Sequence, residues 1–184
     1  MAEAHEIWVF AYGSLMWRPG FPYLRRESAL LHGYHRAFCV RSTRYRGTPR
    51  KPGLVLGLDR GGSCRGRAYK IAARRADSVF AYLWERELDN DVYEPKWLPV
   101  ATPAGKVRAC AFVVDRRHPD YTGRLANARI AEILASSRGD QGTARAYLEH
   151  TVVQLDALGI REGALHRILD EVRAHLVAGA ARQR

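Results

Sequence analysis

Cysteine is scarce in this chain, and its placement excludes the structures that depend on it. The three cysteines, Cys39, Cys64 and Cys110, are widely spaced and form no C-x-x-C pair, and the histidines have no metal-ligand spacing. Neither a disulfide framework nor a metal site is indicated, so we expect three reduced core residues. Cys110 lies in the strand-like run 107–114, which favours burial over a nucleophilic role.

Long apolar runs are also missing. No stretch approaches the roughly 20 apolar residues that a membrane-spanning helix needs. The segment Met1–Glu6 has neither the basic region nor the apolar stretch of an export signal. We therefore expect a chain that is neither inserted into a membrane nor exported.

Lysine is nearly absent from the basic residues, of which only Lys51, Lys70, Lys96 and Lys106 are lysine. The formal net charge of +11 is compatible with nucleic-acid binding. However, the arginines are spread along the whole chain without a dominant block, which makes a nucleic-acid partner the weaker interpretation. The densest stretch, residues 36–51, is rich in turn formers and could instead bind a small anionic substrate. A basic RNA-binding module remains the alternative from a different functional class.

The order of the candidate elements predicts an α+β fold. The 184 residues, 47% hydrophobic and 27% charged, suit a single globular domain covering 1–184. Candidate strands fall at 7–12, 35–41, 53–59, 65–72, 92–100 and 106–115. Candidate helices are one inserted helix at 77–88 and three C-terminal helices at 126–137, 143–158 and 162–177, the second with Gly159 as a stop. We expect the strongly curved six-stranded sheet to close into a small mixed β-barrel.

An apolar strand stops abruptly at a Gly-Ser turn near the start of the chain. The run Ile7-Trp8-Val9-Phe10-Ala11 is followed by Tyr12-Gly13-Ser14-Leu15. Glycine tolerates positive φ, and such a turn can aim several backbone N–H groups at one carboxylate or phosphate. An ordinary turn is the alternative interpretation.

The inserted helix carries an inward-facing acid. Asp77 is a plausible N-cap, and the core-facing spacing is shared by Phe80, Leu83, Trp84 and Leu88. At about 100° per residue, Glu87 falls within this apolar stripe whereas Glu85 points away. A carboxyl group on an apolar face has a raised pKa, which suits proton transfer near neutral pH. The alternative is a frayed helix end at which Arg86 or another arginine neutralises Glu87.

Two loops are candidates for the walls of a cleft. Residues 43–53 form a cationic loop whose shape is constrained by glycine and proline, and residues 115–123 leave a strand through a proline turn. Both are also compatible with plain solvated connections.

Six segments, in order, resemble the ChaC-type γ-glutamylcyclotransferases. They are the opening Val9–Phe21, Gly33-Tyr34-His35-Arg36-Ala37-Phe38, Arg46–Gly53 (R-G-x-P-x-x-P-G), Gly66-Arg67-Ala68-Tyr69, Tyr82-Leu83-Trp84-Glu85-Arg86-Glu87 and Pro119-Asp120-Tyr121-Thr122-Gly123. The similarity extends over nearly the whole chain from Trp8 onward.

The resemblance implies a cytoplasmic enzyme, without a cofactor, that cleaves glutathione into 5-oxoproline and cysteinylglycine. It implies that Glu87 is the proton acceptor, and one carboxyl group can act as base and then as acid. The turn formed by Tyr12, Gly13, Ser14 and Leu15 would hold the glutamyl α-carboxylate or the carbonyl oxygen.

The resemblance is less specific about the residues that would bind the cysteinylglycine end of glutathione. The cationic loop, with Arg41 beside it, would meet the glycine carboxylate, and Tyr121 would line the pocket. Residues Leu88-Asp89-Asn90-Asp91 stand where animal members have a glycine pair, so cyclisation of another γ-glutamyl amide or amine remains the related alternative. We expect a monomer whose partner is this small-molecule substrate.

Overall fold

The computed structural model describes residues 7–87 and 91–181. Five strands form a closed barrel in the order β1-β3-β2-β4-β5. They are β1 (Ile7–Ala11), β2 (Arg25–Ser42), β3 (Gly53–Ile71), β4 (Tyr93–Thr102) and β5 (Gly105–Val114). The α+β barrel predicted from the sequence is confirmed, but the predicted count of six strands is wrong.

The extra predicted strand disappears because β3 runs without interruption through a glycine pair. The sequence predicts separate strands at 53–59 and 65–72, whereas the structure has one strand from Gly53 to Ile71. Gly61 and Gly62 have φ of 101° and 66°. Positive φ in a strand is typical of a bend or bulge, so the pair bends the strand rather than ending it. His35 of β2 holds this bend through its Nδ1, which lies 3.0 Å from the Gly61 carbonyl oxygen.

The first strand makes the sheet mixed. It pairs antiparallel with β3, from Ile7 opposite Ile71 to Ala11 opposite Arg67. It also pairs parallel with β5, where Val9 lies opposite Cys110. Strand β1, buried from Trp8 to Ala11, is therefore hydrogen-bonded on both sides, and the chain passes from its C-terminal end into the Gly-Ser turn.

Helix α1 (Ala76–Glu87) begins one residue earlier than predicted, so Asp77 lies in its first turn and is not its cap. Val79 and Leu83 are buried, but Trp84 is 39% exposed and Phe80 is half-buried. Trp84 nevertheless packs edge-on against the buried Phe112 of β5 as well as against Phe80, so its predicted core-facing position is confirmed for one side of the ring. Leu88 lies outside the described residues.

The chain divides into two compact units. The first comprises the described residues through Ala37 together with Gly57–His118, and the second comprises Phe38–Leu56 together with the chain from Pro119 onward. Strands β2 and β3 contribute residues to both units. The first unit contains most of the barrel and α1.

The second unit is built on three helices. They are α2 (Asn127–Ser136), α3 (Ala144–Ala157) and α4 (Gly163–Ala181), each packed against the other two. A short hairpin that the sequence did not predict, β6 (Arg138–Gly139) with β7 (Gly142–Thr143), precedes α3. Thr143 caps α3 by accepting the Ala146 N–H, and Gly159, with φ of 69°, follows its end as predicted. No helix in the described part of the chain is long and apolar enough to cross a membrane.

The three cysteines are buried, as predicted. Burial raises the pKa of the Cys110 thiol to about 12, so the thiolate form required of a nucleophile is scarce at neutral pH.

Candidate active site

The turn after β1 presents a row of backbone amides. Ser14–Met16 form one turn of 3-10 helix, in which the Met16 N–H donates to the Gly13 carbonyl at 2.9 Å and the Arg18 N–H donates to the Ser14 carbonyl at 2.8 Å. Within residues 7–87 and 91–181, the N–H groups of Gly13, Ser14 and Leu15 donate to no protein group. Three consecutive amides are thus available to an anionic or carbonyl oxygen.

Gly13 does not use the positive φ that glycine tolerates, since its φ is −126°. The glycine matters for another reason: a Cβ at Gly13 would have no atom within 4 Å. The missing side chain therefore leaves open space beside the amides, which allows a ligand to approach the backbone closely.

Two buried side chains hold the carbonyl side of this turn. Arg36, 5% exposed, donates from Nε to the Tyr12 carbonyl at 2.5 Å and from Nη2 to the Arg65 carbonyl at 2.7 Å. The Tyr69 hydroxyl lies 3.0 Å from the Leu15 carbonyl and 2.8 Å from the Met16 carbonyl. Burial raises the pKa of Tyr69, which keeps its hydroxyl protonated as a donor. The carbonyl groups are anchored while the amides remain available.

The candidate acid lies at the end of α1. The side chain of Glu87 is 18% exposed, whereas Glu85 is exposed. Burial raises the pKa of Glu87, and the neighbouring Arg86 partly opposes this increase. The environment therefore favours a carboxyl group that can exchange a proton closer to neutral pH than an ordinary glutamate.

Arg86 connects this acid to the turn. Its Nη2 donates to the Ser14 hydroxyl at 2.7 Å, and its Nε lies 3.5 Å from Oε1 of Glu87. The structure thus brings Glu87 and the Ser14 hydroxyl of the turn to one guanidinium group. From the sequence, Arg86 is predicted only as a group that could neutralise Glu87.

Aromatic rings flank the site. Phe21 contacts Tyr69 and Tyr82, with ring centroids 5.6 and 6.4 Å apart. Gly20, with φ of 73°, leaves no room for a Cβ against Tyr82. The Tyr82 hydroxyl accepts a hydrogen bond from Nη1 of Arg86 at 2.8 Å. Tyr82 thus connects the guanidinium of Arg86 to this aromatic cluster.

Arg41 and Tyr121 lie in the second unit. The Arg41 N–H donates to the Asp120 carbonyl at 2.8 Å, and Val40 forms an antiparallel bridge with Tyr121. Both residues line a cavity of about 650 Å³ within that unit. The cavity gives them a shared environment, and their roles in substrate binding stay predictions.

Arg44 and Arg46 of the cationic loop contact the segment that precedes and begins α3. Nη1 of Arg46 donates to the Gln141 carbonyl at 2.6 Å, and its guanidinium lies over the ring of Tyr147. Nε of Arg44 lies 3.7 Å from Oδ2 of Asp140. Residues 44–46 are therefore tied to the β6–β7 hairpin and its surroundings.

Comparison with known proteins decides the family. The model of the family described as ChaC-like protein matches residues 7–175. The chain belongs to the ChaC-like family. Among ChaC-like relatives, the glutathione-specific γ-glutamylcyclotransferase of Escherichia coli is 36% identical over 168 residues, which cover 91% of this chain and 73% of the relative. Glutathione-specific γ-glutamylcyclotransferase 1 of Mus musculus is 33% identical over 79% of this chain and 68% of its own length.

A solved structure shares the ChaC-like fold. The crystal structure of a γ-glutamylcyclotransferase specific to glutathione from yeast matches with a TM-score of 0.80 and covers 92% of this chain and 96% of that chain. At 23% identity, this likeness establishes the fold alone.

Several ChaC-like motif segments contain site residues that the sequence analysis did not single out. Arg36 lies in the G-Y-x-R-x-F segment and Tyr69 in the G-x-A-Y segment, and both support the turn. Arg86 lies beside the predicted acid. The sequence signal that could have identified these residues is a basic or phenolic side chain in a segment whose other residues are accounted for by strand or helix packing.

Proposed function

We propose that this ChaC-like chain is a glutathione-specific γ-glutamylcyclotransferase. The observation that carries the proposal is that Arg86 contacts both the mostly buried carboxyl group of Glu87 and the hydroxyl of Ser14 in the amide turn. The activity named for the relatives of Escherichia coli and Mus musculus supports the choice of substrate.

The reaction is an intramolecular aminolysis. The α-amine nitrogen of the γ-glutamyl group attacks its own γ-carbonyl carbon, which closes a five-membered ring. The amide bond to cysteinylglycine breaks, and the leaving nitrogen takes a proton. An α-amine is mostly protonated near pH 7, so a base must first remove a proton from it.

Glu87 performs both proton transfers in this proposal. In its ionised form it accepts a proton from the α-ammonium group, and in its protonated form it delivers that proton to the leaving nitrogen. The second proton that the attacking nitrogen loses on ring closure passes to the released amine, which leaves as the ammonium group of cysteinylglycine. The raised pKa brings the two forms closer in free energy near neutral pH, which makes one residue suitable for both steps.

The amide turn orients the donor in this proposal. The N–H groups of Gly13, Ser14 and Leu15 hold the α-carboxylate or the developing oxyanion of the γ-carbonyl. Fixing the glutamyl chain in a folded-back shape contributes much of the rate enhancement, because ring closure requires the amine and the carbonyl carbon to meet.

Arg41 and Tyr121 are proposed to contact the cysteinylglycine half. Arginine suits a terminal carboxylate because its planar fork gives charge-assisted hydrogen bonds. We also propose that the enzyme is a single-domain, cytoplasmic monomer and that it needs no cofactor.

Purified protein incubated with glutathione should release 5-oxoproline and cysteinylglycine in equal amounts. Parallel reactions with γ-glutamyl-alanine and with N-acetylglutathione separate the possible mechanisms. N-acetylglutathione should give no product because its blocked amine cannot attack. Turnover of γ-glutamyl-alanine without turnover of glutathione would overturn the substrate assignment, and release of cysteinylglycine from N-acetylglutathione would overturn the aminolysis.

A further inference from the structure

Arg86 makes more polar contacts than a surface ion pair requires. Nη1 donates to the Arg18 carbonyl and the Tyr82 hydroxyl, each at 2.8 Å, while Nη2 donates to the Ser14 hydroxyl at 2.7 Å. The side chain is 25% exposed. The guanidinium is thus held by three groups other than Glu87, which fixes its position independently of that acid.

Adjacent residues on a helix do not normally face each other. Nevertheless, Nε of Arg86 lies 3.5 Å from Oε1 of Glu87. The bonds to Ser14 and Arg18 account for this arrangement, because they draw the arginine side chain toward that segment and leave Nε beside the acid.

We propose that Arg86 is a positioning residue that sets the register between Glu87 and the Ser14 turn and supplies the positive charge beside the acid. This inference rests on the proposed function. It adds Arg86, which acts through Glu87 and Ser14. The planar fork is essential, since lysine presents one ammonium group and cannot reach the same set of acceptors.

The charge of Arg86 has its own consequence for Glu87. Arg86 is the charged group that lowers the pKa of Glu87 against the effect of burial, and Tyr82 is the other titratable group in contact with the guanidinium. Loss of the positive charge should raise the pKa of Glu87 further, so that the base loses its ionised form at a higher pH. Loss of geometry alone should leave that pKa near its original value.

Two substitutions separate geometry from charge. Arg86→Lys keeps the charge but loses the fork, and we expect kcat/KM on glutathione to fall by about tenfold to hundredfold with little movement of the acidic limb of the pH profile. Arg86→Gln loses both, and we expect a fall at least as large together with a shift of the acidic limb to higher pH. Arg173→Gln, an exposed arginine paired with Asp170 on α4, should match wild type and serves as the control.

A double-mutant cycle tests the contact with the turn. Ser14→Ala removes the hydroxyl that Arg86 holds, so Ser14→Ala combined with Arg86→Gln should lose little more activity than Arg86→Gln alone. Thermal unfolding of every variant shows which preparations are folded, and the lysine and Ser14→Ala variants keep the test informative if the glutamine variant fails to fold.

The outcomes distinguish this inference from the proposed function. Wild-type protein that releases no 5-oxoproline from glutathione overturns both. Active wild type together with folded Arg86→Lys and Arg86→Gln variants of unchanged kcat/KM and pH profile overturns only the role of Arg86. Additive losses in the double-mutant cycle also contradict the proposed link through Ser14.

Discussion

Replacing Glu87 with glutamine should abolish the release of 5-oxoproline from glutathione. Glutamine has nearly the same shape but can neither accept the proton of the α-ammonium group nor deliver one to the leaving nitrogen. A positioned acid or base contributes about 10²- to 10⁴-fold, and Glu87 is proposed to act in both steps. We therefore expect kcat to fall by about a thousandfold or more in a direct assay of 5-oxoproline.

Glu85→Gln is the matched control for this substitution. Glu85 lies two positions earlier on the same helix, and its side chain is exposed. The control changes the net charge by the same amount without changing the site, so its kcat should remain close to that of wild type. Equal activity losses in both variants, or retained activity in Glu87→Gln, would show that another group transfers the proton.

Glu87→Gln should also stabilise the fold at neutral pH. The pKa of Glu87 is raised in the folded state, so its contribution to stability is fully present below the unfolded-state pKa and is lost as the pH rises through the folded-state pKa. Glutamine removes this loss because it does not ionise. The melting temperature of Glu87→Gln should therefore exceed that of wild type at neutral pH, and the difference should shrink in acid.

Replacing Arg36 with methionine should give the largest loss of stability among the residues that support the turn. Methionine retains much of the buried apolar volume but removes the charged donors that satisfy the Tyr12 and Arg65 carbonyls. Hydrogen bonds to charged groups contribute about 1.5–3 kcal/mol each, so we expect the free energy of unfolding to fall by about 3 kcal/mol or more. For a chain of this size the melting temperature should fall by about 6–12 °C.

Arg65→Met is the control for the stability measurement. Arg65 lies on β3 and its side chain is exposed, so urea unfolding should give a change within about 0.5 kcal/mol of wild type. If Arg36→Met unfolds at the same urea concentration as this control, the buried hydrogen bonds do not support the turn as described. Below its melting range, folded Arg36→Met should also show reduced kcat/KM because the carbonyl side of the turn is no longer anchored.

Local sequence patterns predicted the elements well where packing and pattern agree. The apolar run Ile7–Ala11 forms a buried strand, and the helical spacing of 143–158 corresponds to α3 (Ala144–Ala157). The pattern failed at Gly61-Gly62, where a glycine pair bends β3 instead of ending it. Whether such a pair bends or breaks a strand depends on tertiary pairing, such as the contact from His35, which no local pattern contains.

The candidate site was predictable in its parts but not in its connections. Helical spacing was enough to distinguish Glu87 from Glu85, and the Gly-Ser turn identified the amides. The contacts of Arg86 could not be predicted, because they are made to Ser14 and Arg18, which are distant in sequence. The turn is built as 3-10 helix, so Gly13 contributes open space rather than the left-handed conformation that glycine tolerates.

The most direct test is a crystal structure of the protein with 5-oxoproline bound. The account predicts that an oxygen of the product accepts hydrogen bonds from the amides of Gly13, Ser14 and Leu15, with the ring nitrogen within hydrogen-bond reach of the Glu87 carboxyl group. Product bound away from those amides, with Glu87 turned toward solvent, would contradict it.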